Sequence, residues 1–104
     1  MTESAAGPSG PGTVVLELGA DVGALVLFTP AGLDGREIEI SRGDRAGRRT
    51  HSRVRPRHMA TGTRYAAVYP DLAAGAYTIW ADSSRAAGRV IITGGRVTNW
   101  SWPA

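Results

Sequence analysis

The segment RYAAVYPDLAAGAYTIW, residues 64–80, constrains the fold of this chain more than any other. It consists of two short apolar runs that flank a corner of turn-forming and small residues at 70–74. Short runs that contain aromatic and β-branched residues are typical of strands rather than helices. The segment therefore predicts a strand over 65–69, a tight corner and a second strand over 75–81.

The rest of the chain repeats this organisation of short apolar or alternating runs between turn-forming residues. No stretch shows a helical period, and turn signals recur about every 8 to 12 residues, which is typical of a sandwich. Further strands are predicted at 14–18, 23–29, 36–40, 49–57, 88–93 and 96–102. The sequence therefore predicts an all-β fold, an antiparallel two-sheet sandwich of about seven or eight short strands.

The pattern also defines the domain organisation. Residues 1–12 are small and polar, so they cannot bury enough apolar surface to offset the entropy cost of ordering. We expect a disordered lead-in there and a single β-sandwich domain over 13–104. The pair Gly94 and Gly95 predicts a hairpin turn between the last two strands.

Composition excludes several classes of site and location. The 104 residues include no cysteine, which rules out disulfides and thiolate metal sites. The chain does not begin with a basic segment followed by an apolar one, and no apolar run approaches the roughly 18 residues of a membrane span. We therefore expect a soluble, cytoplasmic protein that does not interact with membranes.

Charge is distributed unevenly, although the formal net charge is only +3. All 12 basic residues are arginine, and eight of them lie between positions 42 and 64, where Asp44 is the sole acid. That stretch carries +7, whereas the remaining 81 residues carry −4. One basic stretch in an otherwise acidic chain, with few aromatic residues interleaved, does not fit nucleic-acid binding.

The stretch 49–57 places a cationic side chain at every second position. The members of this row are Arg49, His51, Arg53, Arg55 and Arg57. On one continuous strand they would share a single face, because alternate side chains of a strand point the same way. Pro56 has no backbone N–H to donate, which indicates an edge strand.

Two interpretations of this row remain open. In a hairpin that folds about Gly43 and Asp44, Glu37 lies opposite Arg53. The same register places Glu39 opposite His51, so that cross-strand ion pairs stabilise the sheet and the row has no further role. Alternatively, the arginines left without an acid bind the carboxylates of an acidic protein partner, for which guanidinium groups offer bidentate geometry.

The three tryptophans also have two interpretations. With Tyr77 and Ile79 pointing inward, alternation turns Trp80 outward, and Trp100 and Trp102 share one face of the last strand. An outward Trp80 next to that face would form an aromatic patch of the kind found at protein interfaces. In the alternative, at least two of the tryptophans fill the small core.

The corner also carries a resemblance. The sequence VYPDLAAGAYTI at 68–79 resembles the prealbumin-like superfamily, which includes transthyretin-like proteins, carboxypeptidase regulatory-like domains and Cna-B repeats. The resemblance implies that Leu72 closes the end of the core and that Gly75 supplies backbone freedom at the turn. It also implies that Tyr77 buries its ring and that its hydroxyl bonds to upstream backbone. Two alanines before the glycine replace the proline that is usual in these domains.

The departures from these families argue against enzymatic chemistry. Cna-B repeats often form an internal Lys–Asn isopeptide bond, but this chain has Asn99 and no lysine. Transthyretin-like hydroxyisourate hydrolases end in Tyr-Arg-Gly-Ser, whereas this chain ends in Asn-Trp-Ser-Trp-Pro-Ala. No nucleophile–base pair or carboxylate dyad is recognisable from the spacing. We therefore expect neither an enzyme nor a cofactor.

These features predict a non-enzymatic binding or assembly module that engages an acidic protein partner or a second copy of itself. A homo-oligomer is expected because an open sandwich leaves strand edges to pair. The predicted partner-binding residues are Arg49, Arg53, Arg55, Arg57, Trp80, Trp100 and Trp102.

An alternative function is metal or small-molecule binding. The imidazoles of His51 and His58 and the thioether of Met59 are ligands that suit copper. On a continuous strand the two imidazole rings would lie on opposite faces, so a bend at Pro56 would be needed to bring them together. The nearby arginines would also repel a cation.

Overall fold

Eight strands and one short turn of 3-10 helix, Ala31–Leu33, form the part of the protein that the computed structural model describes, residues 20–43 and 49–103. The strands are β1 (Val22–Thr29), β2 (Glu37–Arg42), β3 (Arg49–Arg53), β4 (Arg55–Met59), β5 (Gly62–Ala73), β6 (Gly75–Trp80), β7 (Ala86–Ile92) and β8 (Val97–Ser101). The expected lead-in at 1–12 and the expected strand at 14–18 lie outside the described residues. No helix within the described ranges is long and apolar enough to cross a membrane.

The strands form two four-stranded sheets that pack face to face. Sheet one has the order β4-β5-β1-β8, and sheet two has the order β3-β2-β6-β7. Neighbouring strands are antiparallel, except that β8 runs parallel to β1. The predicted two-sheet sandwich of about eight strands is therefore confirmed.

The core lies between the inner faces of the two sheets. Leu25 and Leu27 of β1 are fully buried against Ile40 of β2 and Ile79 of β6. The sequence predicts that β1 is apolar on both faces, which suits its position between β5 and β8. A buried hydrogen bond also links the sheets, because the Tyr69 hydroxyl of β5 donates to the Ile38 carbonyl oxygen at 2.5 Å.

The corner in 64–80 is shorter than the sequence predicts. β5 continues through Pro70 to Ala73, so most of the expected connection at 70–74 is strand. This is possible because β4 pairs with β5 only as far as Ala66, and because the register of β1 with β5 shifts between Gly23 and Leu25, at the level of Pro70. β5 lies in sheet one and β6 in sheet two, so the turn between them crosses the sandwich.

The predicted roles of the corner residues are confirmed. Gly75 has φ of 145°, a backbone conformation that residues with a side chain rarely adopt. Leu72 is 7% exposed and belongs to the core. The Tyr77 hydroxyl donates to the Ala73 carbonyl oxygen at 2.7 Å, and burial raises the pKa of Tyr77 above its ordinary value.

The prediction of one strand over 49–57 is wrong. The extended backbone breaks at Val54, and the two halves lie in different sheets, with β3 at the edge of sheet two and β4 at the edge of sheet one. The Val54 side chain is fully buried in the core. Its N–H donates to the Arg36 carbonyl oxygen and its own carbonyl oxygen accepts from the Gly35 N–H, both at 2.9 Å. These contacts anchor the crossing between the sheets.

The prediction of a hairpin at Gly94 and Gly95 is also wrong. The flanking strands β7 and β8 belong to different sheets, so this connection crosses the sandwich instead of joining paired neighbours. It packs against the beginning of the described chain, where the Gly95 N–H donates to the Val22 carbonyl oxygen at 2.8 Å. A Cβ at Gly94 would overlap the Ala20 carbonyl oxygen, which explains why the position has no side chain.

Candidate functional site

The outer face of sheet two combines basic and acidic residues in the register that the sequence predicts. Glu37 lies opposite Arg53 and Glu39 lies opposite His51 across the β2–β3 pair. The Arg53 Nη2 atom is 3.0 Å from Glu37 Oε2, and each side chain is 49% exposed. An ion pair this exposed contributes at most about 1 kcal/mol to stability.

Arg49 is bound more firmly to the same face. Its Nη1 atom is 2.9 Å from Glu39 Oε1, and its Nη2 atom donates to the Ser83 carbonyl oxygen at 2.8 Å. Its guanidinium carbon lies 4.0 Å from the centre of the Trp80 ring, and the indole Nε1 donates to Ser41 Oγ at 2.8 Å. Only 12% of the Arg49 side chain is exposed. These contacts indicate that Arg49 and Trp80 stabilise sheet two, where Trp80 faces outward as predicted.

The outer face of sheet one is different, because the arginines of β4 and β5 have no acidic counterparts among the described residues. Arg57 of β4 lies directly opposite Arg64 of β5, and Arg55 lies opposite Ala66. We call the three arginines Arg55, Arg57 and Arg64 the cationic face. The odd-numbered positions of 49–57 therefore all point away from the core, but they are divided between two opposite surfaces and do not form one row.

Two members of the cationic face are held in place by the fold. The Arg64 guanidinium carbon lies 3.8 Å from the centre of the Phe28 ring. Arg57 donates from Nε and Nη2 to the Ala66 carbonyl oxygen at 3.4 and 3.3 Å. Arg55 is exposed, and its side chain forms no ion pair or hydrogen bond within residues 20–43 and 49–103.

Acidic residues are scarce around these arginines. Asp71 is the one acid in the four strands of sheet one, and it lies near the end of β5 remote from Arg64. The Gly35 N–H donates to the Val54 carbonyl oxygen, and this bond joins the neighbours in sequence of Asp34 and Arg55. Asp34 nevertheless forms no ion pair with Arg55. The three ion pairs within the described residues all involve other arginines.

Arg64 is not among the site residues that the sequence predicts. It comes from the strand after the arginine-rich stretch and meets Arg57 only because β4 and β5 form a hairpin around 60–61. The sequence contains a turn signal here, because Gly62 follows two small residues. In the structure Gly62 has a φ of 123° at this turn. Recognising this turn would have placed Arg57 and Arg64 opposite each other.

Trp100 and Trp102 pack against the core, as in the second of the two interpretations of the tryptophans. Both pack against the buried cluster, with ring centres 6.2 Å apart and planes at 89°. Trp100 reaches across from sheet one to Gly88 of β7, where a Cβ would lie 2.6 Å from its Cζ2 atom. The expected aromatic patch is therefore not formed, because Trp80 lies on the outer face of sheet two against Arg49.

The candidate metal ligands are not brought together. His51 lies in β3 of sheet two, whereas His58 and Met59 lie at the far end of β4 in sheet one. The His58 Nδ1 atom is 3.0 Å from Thr63 Oγ1, so the imidazole is engaged in the β4–β5 hairpin. No group of three or more His, Asp or Glu side chains among the described residues could hold a metal ion.

Surface depressions lie away from the cationic face. One is at the end of the sandwich near Arg42, Asp71 and Tyr77, and another lies beside Trp102 and Arg85. The cationic face itself is an exposed sheet surface, which suits contact with a macromolecule better than enclosure of a small molecule.

No family model matches this chain, and neither a curated protein nor a solved structure matches it.

Proposed function

We propose that this protein is a non-enzymatic, cytoplasmic β-sandwich module that binds an acidic segment of a protein partner through the cationic face. The observation that carries the proposal is the register of β4 and β5, which places Arg57 directly opposite Arg64 on a face where neither arginine forms an ion pair with a described residue. Guanidinium groups in this arrangement can bind carboxylates in bidentate geometry.

The energetics of the free module support this function. Opposite charges that face each other in an antiparallel pair stabilise a sheet by roughly 0.2–1 kcal/mol, and like charges in the same position destabilise it by a comparable amount. On sheet two the chain avoids this cost, because Arg53 and Arg49 have Glu37 and Glu39 as partners. On sheet one, an anionic partner would offset the repulsion between Arg57 and Arg64. Relief of this repulsion would therefore favour binding.

The proposal changes the set of binding residues. Arg55 and Arg57 keep the role expected from the sequence, and Arg64 joins them. Arg49 and Arg53 are assigned to the fold because an acid of the same sheet neutralises each of them. The tryptophans are left out, since Trp100 and Trp102 pack against the core.

We also assign the module to the prealbumin-like superfamily. The corner supports this assignment, because Leu72 closes the core, Gly75 has a positive φ and the Tyr77 hydroxyl bonds to upstream backbone. These are the roles that the resemblance implies for the three residues.

Binding of a defined acidic probe tests the function. We would measure fluorescence anisotropy of a labelled peptide of alternating glutamate and serine with wild type, with R55Q/R57Q and with the matched control R53Q/R85Q. Both variants lose two positive charges, but the control removes arginines that are already paired with acids. We expect R55Q/R57Q to bind about tenfold more weakly, which is roughly 1.4 kcal/mol. Salt should weaken wild-type binding, because exposed charges are screened.

Two outcomes would contradict the proposal. Equal losses in the two variants would mean that net charge, and not the cationic face, governs binding. No binding by wild type at low salt would remove the acidic-partner function altogether. Thermal unfolding of each variant controls for loss of the fold, which we expect to be intact because all four side chains lie on the surface.

Self-association through the opposite side of the sandwich is a second candidate function. There β7 and β8 are the edges of the two sheets within the described strands, and Ile91 and Val97 are 64% and 52% exposed. Exposed apolar residues at sheet edges favour pairing with another chain. Light scattering should therefore give a dimeric or larger mass for wild type and a monomeric mass for I91D/V97D. A monomeric wild type at high protein concentration would exclude this candidate.

A further inference from the structure

We propose that the anionic group that the cationic face binds is a phosphoryl group, presented by a phosphorylated serine or threonine in an extended segment of the partner. This inference rests on the proposed function and specifies its ligand. It follows from the neighbouring positions of the three arginines on two paired strands and from the contacts that restrict two of their guanidinium groups.

The register brings the three arginines of the cationic face onto neighbouring positions of two paired strands. Residues directly opposite in an antiparallel pair have Cβ atoms about 4.5–5.5 Å apart, so Arg57 and Arg64 can contact the same small anion. Arg55 is two positions along β4 on the same face, about 7 Å away along the strand. Three guanidinium groups on this face carry more positive charge and more N–H donors than one carboxylate can pair with.

Ala66 provides the floor of the proposed site. It lies between Arg55 of β4 and Phe28 of β1 in one row across sheet one. Ala66 is fully buried although it is not part of the core cluster. Because its side chain is only a methyl group, Ala66 does not fill the space between the arginines.

The fold also restricts the orientation of two of these groups. Stacking on Phe28 fixes the plane of Arg64, and the Ala66 carbonyl oxygen accepts from Nε and Nη2 of Arg57. Each guanidinium carries five N–H donors, so both retain several for an anion. Groups ordered before binding lose less conformational entropy when a ligand arrives.

A phosphoryl group matches this arrangement better than a carboxylate does. It carries a charge of about −1.5 to −2 at pH 7 and offers three acceptor oxygens, whereas a carboxylate carries −1 and offers two. A phosphoryl group can therefore bridge Arg57 and Arg64 and still accept from Arg55. The exposed position of the site favours a phosphate on a protein chain, which brings neighbouring residues into contact with the sheet.

Three matched peptide pools test the inference. The pools have the same degenerate flanking residues and carry serine, glutamate or phosphoserine at the centre. Titrations followed by NMR would monitor the Nε–H signals of Arg57 and Arg64, with Arg53 and Arg85 as internal controls because both are paired with acids. We expect the phosphoserine pool to bind at least about tenfold more tightly than the glutamate pool. The signals of Arg57 and Arg64, and that of Arg55, should shift, whereas those of Arg53 and Arg85 should not.

Arginine-to-lysine variants add a second measurement. R57K and R64K keep the charge but lose the planar fork, so we expect each to lose phosphoserine binding about tenfold while glutamate binding changes little. R53K is the matched control and should bind like wild type. Retention of phosphoserine binding by both R57K and R64K would contradict bidentate recognition and overturn the inference.

The remaining outcomes separate the inference from the function on which it rests. Equal affinity for the phosphoserine and glutamate pools would overturn the phosphoryl ligand and leave the acidic-partner function intact. Failure of both pools to bind would overturn both. Tighter binding to vesicles that contain phosphatidylserine, or to a single-stranded oligonucleotide, would overturn the inference in favour of a lipid or nucleic-acid phosphate.

Discussion

Substitution of Gly88 by alanine tests how the two sheets close at the β7–β8 side of the sandwich. Gly88 is on the inner face of β7, and the Trp100 ring from sheet one lies against its backbone. A Cβ at this position would be 2.6 Å from Trp100 Cζ2. Ordinary carbon contacts are about 3.5–4.0 Å, so the ring would have to move by about 1 Å.

The free-energy change follows from two opposing terms. Overpacking of this kind costs about 1–3 kcal/mol, whereas replacing glycine by alanine returns about 0.4–1 kcal/mol by restricting the unfolded chain. The midpoints of the two ranges differ by about 1.3 kcal/mol, so we expect G88A to lose about that much stability, which for a domain of this size lowers the Tm by about 5–10 °C. The matched control is G32A, because a Cβ at Gly32 meets nothing within 4 Å and its φ is not positive. G32A should be as stable as wild type or slightly more stable.

Thermal and urea unfolding measure these changes, and tryptophan emission reports the movement of Trp100 directly. In a W100F background the ring that obstructs the new methyl group is smaller, so we expect G88A to become neutral there. If G88A instead unfolds at the same temperature as wild type with an unchanged emission spectrum, Trp100 does not occupy the position described and the sheets close differently.

Three further predictions concern the fold. Y77F should lose about 1 kcal/mol in urea unfolding, because the hydroxyl bond that closes the corner disappears; an unchanged midpoint would refute this role. Burial raises the pKa of Tyr69 above the ordinary value of 10.0, so stability is retained below pH 10 and falls above it. Y69F should show a shallower loss between pH 9 and about 11, and an equally steep loss would contradict the pKa shift. A double-mutant cycle of R53Q and E37Q should give a coupling energy below about 1 kcal/mol that decreases with salt; a larger or salt-independent value would contradict it.

Local patterns predict much of this structure correctly because they depend on contacts close in sequence or in register. The apolar run of β1 predicts a central strand, and β1 is paired on both sides. The short distance between β2 and β3 restricts their pairing, so the match of Glu37 with Arg53 could be derived from a hairpin. The corner roles of Gly75 and Tyr77 could be inferred because both act within a few residues.

The errors share one physical cause. A period of two tells which side chains point away from the core, but it does not tell to which sheet a strand belongs. Each residue of 49–57 therefore has the orientation expected from alternation, yet burial of Val54 transfers the chain from one sheet to the other. The flanking glycines at 94–95 were misinterpreted for the same reason, since a turn between sheets uses the same residues as a hairpin.

The candidate site shows this division most clearly. From its own sequence the chain determines the fold class, the inward or outward direction of its side chains and the excess of arginine in one stretch, because these depend on composition and neighbouring residues. Only the tertiary structure decides which arginines of 49–57 leave the acids of β2. Charge pairing is a property of distance in space: Arg53 stays beside β2 and meets Glu37, whereas the crossing at Val54 brings Arg57 to β5, opposite Arg64.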